Sequence, residues 1–157
     1  MPEIADTIDR ESERKLAAKL FNHVWALLGR HDRSLEDDDE MLHAAHASRF
    51  HWGRVGDVAQ RARGEWQCSR VYATLDRPEP ALHHARRCLE LCQQGPVEEF
   101  DLPFAHEALA RAYAVAGDDD RATEELRLGR ELAERIEDEE DRRVVLEDLK
   151  TVPLAAV

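Results

Sequence analysis

Apolar residues recur at spacings of three and four along most of the chain, and the breaks between these runs predict seven helices. Leu16, Ala17, Leu20, Phe21, Val24, Leu27 and Leu28 mark a first helix over about 8–30, ending near Gly29. Ser34, with Asp37 three residues on, has the pattern of a cap and opens a second helix near 36–53. A third runs from Asp57 to about Leu75, and Pro78 and Pro80 punctuate the chain before a fourth over 79–93. A fifth spans about 101–116, with Pro103 in its first turn, where a missing N–H costs little. Gly117 and the acids at 118–120 form a short turn into a sixth, Arg121 to Ile136. Val145, Leu146 and Leu149 then share one face of a short terminal helix, about 139–150. The aromatic and basic stretch 50–56 is expected to join helices two and three, with Phe50 and Trp52 plugging the junction.

Short connections force consecutive helices to run antiparallel. The expected fold is therefore all-α: a single domain over 1–157, made of helix pairs at about 8–53, 57–93 and 101–136, with the last helix capping an open stack. A repeat supports the pairing. Tyr72 and Tyr113 lie 41 residues apart, as do Ala81 and Ala122, and each tyrosine precedes its alanine by nine positions across a predicted turn. A small residue there lets the second helix approach closely while the ring fills the space beside it.

These spacings resemble the tetratricopeptide repeat, whose first helix carries W-x2-L-G-x2-Y and whose second carries A-x3-F. Trp25, Leu28 and Gly29 match the opening, with Asp32 at the tyrosine place. The second copy keeps Tyr72 and Ala81, and the third keeps Leu109, Tyr113, Gly117, Ala122 and Leu126. The period is longer than the family's usual length of about 34. The resemblance implies a right-handed superhelix whose first helices line a concave groove for a peptide or protein segment. Carried over by position, it puts Trp66, Arg70, Glu107 and Arg111 on the inward face. An aromatic plate beside arginines would suit an acidic peptide or a carboxylate terminus, and alanine at Arg70 and Arg111 should then weaken capture without unfolding the chain.

Composition narrows the partners. Of 157 residues, 34 are acidic and 22 are Lys or Arg, a formal net charge of −12 that repels nucleic acid and anionic membrane surfaces. No apolar run is long enough to span a membrane, and the first 15 residues lack the apolar core of a secretory signal, so a cytoplasmic address is expected. Cys68, Cys88 and Cys92 are an odd number on apolar helix faces and are expected to be reduced and packed.

Eight histidines raise the question of a metal. Asp39, His43 and His46 fall at helical spacing, and His83 or His106 could add a fourth ligand. No HExxH, zinc-type Cys/His spacing or paired Glu-x-x-His set accompanies them. A phosphate-binding loop is missing, and neither the cysteines nor Ser48 and Ser69 assemble a nucleophilic site. The sequence thus points to a non-enzymatic scaffold or adaptor that binds a protein segment and needs no cofactor. The alternatives are a small metal-binding enzyme or sensor using the histidine-rich second helix, and a self-association module forming a homodimer.

Overall fold

The computed structural model describes residues 3–154, and among these it contains seven α-helices and no strand. After a 3-10 turn at Ile4–Asp6 come α1 (Arg10–Leu28), α2 (Leu35–Val55), α3 (Val58–Thr74) and α4 (Pro78–Gln94). They are followed by α5 (Asp101–Val115), α6 (Asp119–Glu134) and α7 (Glu139–Leu149). Local chemistry sets these ends. Ser34 and Asp37 form a reciprocal capping box on α2, and Asp57 and Gln60 do the same on α3. Asp9, Asp118 and Asp138 each accept a backbone N–H at the start of α1, α6 and α7. Pro78 opens α4, where its locked φ suits the first turn.

One expectation fails here. Residues 50–55 do not join two helices but are the last turns of α2, and Phe50 is half exposed rather than a plug. The apolar 3.6-residue period simply continues past Gly53 to the buried Val55.

The helices pack as consecutive antiparallel pairs, α1 with α2, α3 with α4 and α5 with α6, and α2 to α3 and α4 to α5 join one pair to the next. The first helices also touch one another, α1 against α3 and α3 against α5, so they form a continuous row. Ala81 and Ala122 are fully buried where α4 packs on α3 and α6 on α5, and Ser69 Oγ donates to the Ala81 carbonyl at 2.8 Å. Between α5, α6 and α7, Leu126, Ile136, Val145 and Leu149 close the far end.

The 41-residue period is written into the backbone. The Arg77 N–H donates to the Tyr72 carbonyl at 2.9 Å, and 41 residues later the Asp118 N–H donates to the Tyr113 carbonyl at 2.9 Å. Asp76 and Gly117 hold the same left-handed position in the two turns, with φ of 58° and 82°. Helix C-termini that close in this way favour glycine, and aspartate is among the few side chains that tolerate the conformation.

Candidate functional site

The row of first helices carries a wall of aromatic rings. Phe21 and Trp25 on α1 meet edge to face at 6.4 Å between centroids, and Trp25 meets Trp66 on α3 at 5.3 Å. Trp66 meets Phe104 on α5 at 5.4 Å, and Phe104 meets Phe100 at 6.3 Å. Five rings on or next to three helices are therefore in unbroken contact. Trp66 and Glu107 lie 41 residues apart, each eight residues before the end of its helix, so corresponding places in the second and third pairs meet along the wall; Trp25, three residues before the end of α1, joins it from a different register.

Trp66, Arg70, Glu107 and Arg111 do come together, but as a closed network. Glu107 is fully buried. One of its carboxylate oxygens accepts the Trp66 indole N–H at 2.8 Å, while the other accepts from Arg70 at 3.2 Å and Arg111 at 2.6 Å. The chain's last helix completes the set: Arg70 donates to Asp148 at 2.6 Å, and Arg111 reaches Thr151. Burial would strip Arg70 of its proton more easily, yet the charges of Glu107 and Asp148 outweigh it and hold the guanidinium above its ordinary value. Removing both arginines would leave a buried carboxylate with an indole N–H alone, so alanine at these positions reports on folding before it reports on capture.

Beside this network lies an open groove. A pocket of about 180 Å³ is walled by Phe21, Trp25, Trp66, Phe100 and Phe104, with Cys88 and Cys92 of α4 behind. Arg63 and Asp101 flank it as a bidentate pair, both bonds at 2.9 Å, and that hydrogen bonding raises the Arg63 value. A second space of about 360 Å³ shares Trp25, Trp66 and Phe104 and is closed by Val144, Glu147, Asp148 and Thr151 on and just after α7. A third, about 180 Å³, continues past Phe21 and Arg63 toward Trp52. The three adjoin through shared residues and make one groove along α1, α3, α5 and α7.

The histidines are dispersed. His23 lies beside Glu40, His51 beside Glu13, His84 beside Glu65 and His106 beside Glu125, at 2.6 to 3.1 Å. His46 lies 2.9 Å from the Tyr72 hydroxyl, with the His84 ring 5.2 Å away. Asp39 and His43 do not join it in a ligand set: among the described residues no three His, Cys, Asp or Glu side chains are placed to hold a metal. Burial, and then the His84 charge, depress the His46 value. The three cysteines are free and buried, and burial pushes the Cys68 thiol up to about 12, far from a reactive thiolate.

Comparison with known proteins adds no neighbour: no family model, curated protein or solved structure matches the chain. No helix among the described residues is long and apolar enough to cross a membrane. At helical spacing Phe21 reads as ordinary core of the first helix, and no sequence pattern singles out Phe100 or Phe104 as groove residues. The sequence signal that touches the wall is the interval of 41 linking the equivalent positions Trp66 and Glu107.

Proposed function

We propose that the chain is a non-enzymatic binding module of tetratricopeptide-like construction, which takes a protein segment along its inner groove. The observation that carries this is the aromatic wall beside an apolar pocket. Wild-type cores pack such rings away, whereas here Trp25 keeps more than a third of its surface exposed at the groove mouth. An apolar cavity of about 150 Å³ admits a benzene ring, so a pocket of about 180 Å³ has room for one large apolar side chain. Matching turns at Asp76 and Gly117 support the repeat reading, since they give successive pairs the same geometry. Three buried, unpaired thiols favour a reducing compartment, and so the cytoplasm.

Panning a displayed library of random dodecapeptides against the folded chain tests the proposal. Selected peptides should compete with one another and lose at least tenfold in affinity for Trp25→Ala, whose side chain lies at the mouth rather than in the core. Peptides that bind the variant as well as the unaltered protein, or a library that yields none, would defeat it.

A further inference from the structure

Two of the rings in the wall carry a guanidinium of the chain's own. Arg63 lies over Phe100 at 5.1 Å from the ring centroid, and Arg70 lies over Trp66 at 5.1 Å. Each of these cations is matched by a carboxylate: Asp101 for Arg63, and Asp148 with Glu107 for Arg70. Ring, cation and carboxylate thus recur as a unit on this surface. The electron-rich ring face and the carboxylate both stabilise the positive charge, and the ring accepts the flat guanidinium without needing hydrogen bonds in its plane.

Phe21, Trp25 and Phe104 carry no such cation among the described residues, and of these Trp25 is the most exposed. It shares the larger space with Glu147, which supplies a carboxylate on the opposite wall. Among the described residues Glu147 is held only by Arg143, one turn earlier on α7, in an exposed pair of a kind that contributes little and exchanges readily with solvent. A ring and a carboxylate therefore line a common space with no arginine between them, whereas the other two units each hold one.

The charge balance along the groove points the same way. Arg63, Arg70 and Arg111 are all paired with buried or half-buried acids, so none is left to attract an anion. The chain as a whole carries −12, which steers cations toward it and slows the approach of acidic segments.

We infer that the occupant of the groove is a basic peptide segment, in which a large apolar side chain enters the pocket between Phe21, Trp66 and Phe104 while a neighbouring arginine or lysine lies between Trp25 and Glu147. This rests on the reading of the groove as a peptide site and replaces the acidic ligand expected from sequence. The two spaces share Trp25, Trp66 and Phe104, so anchor and cation would be close neighbours along the segment.

A synthetic array of acetylated octapeptides tests it. Each peptide holds one central phenylalanine or leucine in a glycine-serine background, with arginine, glutamate or serine placed one to three residues away. Arginine-bearing members should bind at least tenfold more tightly than the glutamate-bearing ones, and 0.5 M salt should erase most of that difference. With Glu147→Lys the preference should fall at least tenfold or reverse toward glutamate, while Trp25→Ala, which removes a wall of both spaces, should weaken all members and the arginine-bearing ones most. If serine or glutamate members bind as well as arginine members and Trp25→Ala still abolishes binding, the groove stands and the basic occupant is overturned. If Glu147→Lys leaves an arginine preference unchanged, the assigned cation place is wrong. If no member binds either protein, both readings fall. Far-ultraviolet circular dichroism of each variant confirms that it is folded.

Discussion

Trp66 and Glu107 stand 41 residues apart, at matching places in successive repeats, and are bonded directly to each other through the indole N–H and a carboxylate oxygen at 2.8 Å. A repeat protein stacks equivalent positions along its axis, so a substitution in one copy always meets its counterpart in the next. Here the meeting of a tryptophan with a glutamate lets the acid sink to complete burial, because Arg70 and Arg111 then converge on its second oxygen. The inner surface is rigidified at that point and left open on the Trp25 side.

Loss of this carboxylate should be among the most damaging single changes in the chain. Glu107→Ala leaves an indole N–H without an acceptor and weakens the pairing of two half-buried guanidiniums, and broken buried ion pairs of this type cost about 3–5 kcal/mol. Urea denaturation should show that loss, with Glu107→Gln losing less because the amide oxygen still accepts from Trp66. A change within about 0.5 kcal/mol would mean that the network is not the anchor of α7.

The acid-base pairs that bridge the helices of the second and third repeats have exchanged ends. Glu65 on α3 bonds His84 on α4, while His106 on α5 bonds Glu125 on α6, at 2.6 and 2.7 Å and with the same separation of 19 residues. Each partner of one pair lies 41 positions from the opposite partner of the other. His106→Glu alone should set two carboxylates together, and Glu125→His alone two imidazoles. The double exchange should recover most of the loss, giving a coupling energy of about 0.5–3 kcal/mol in a denaturation cycle. Additive effects would show that the pairs are incidental.

Stability should fall as acid is added, beginning near the ordinary histidine value. Half-buried His46 faces His84, Tyr72, Cys68, Glu65 and His43, and its value is depressed below 6.5 by partial burial and by the His84 charge. The unfolded chain therefore takes up that proton first, so the contribution of His46 is complete above about pH 6.5 and is lost as pH drops toward the folded value. Glu65 acts lower on the scale. Burial would raise it, but hydrogen bonds and charges from His84 and Arg49 hold it below 4.5, so its contribution is present above 4.5 and lost below. Urea midpoints from pH 8 to 5 should fall less for His46→Gln than for the unaltered chain, and parallel curves would refute the assignment.

The two left-handed turn positions predict opposite responses. Nothing lies within 4 Å of a Cβ built on Gly117, so Gly117→Ala meets only the conformational cost of φ +82°, about 1 kcal/mol. Asp76→Gly relieves the same strain and should stabilise by up to about 1 kcal/mol in thermal or urea unfolding, less the entropy glycine adds to the unfolded chain.

Helix boundaries were legible because they depend on local chemistry. The Ser34 box, Pro78 and the turn at Gly117 act within four residues of themselves, and the structure places the helix ends within two residues of expectation. The site was only half legible. Position in the repeat brought Trp66, Arg70, Glu107 and Arg111 together, but the network they form on Glu107 is completed by Asp148, 78 residues beyond Arg70, which no local pattern ties to them. The histidine-rich face of α2 misled for the same reason: its apparent ligand cluster ignores acids and rings brought in by α1, α3 and α4, and these engage His46 and His51 singly.

Gly64 lies within α3 where it crosses α2, and two effects of similar size compete on replacing it with alanine. Helix propensity favours alanine by about 1 kcal/mol. Against that, a Cβ there would sit 2.9 Å from Arg49 Cδ and 3.3 Å from Arg49 Cα. The Cδ could shift only by disturbing the Arg49 bond to Glu65 at 2.9 Å, and the Cα belongs to the backbone of α2, so relief requires the helices to part. Overpacking of this kind costs about 1–3 kcal/mol, which equals or exceeds the propensity gain. Gly64→Ala should therefore be destabilising by up to about 2 kcal/mol in urea, and combining it with Arg49→Ala should recover part of the loss despite removing the ion pair. A stabilised Gly64→Ala would mean that α2 and α3 do not approach as closely as this contact requires.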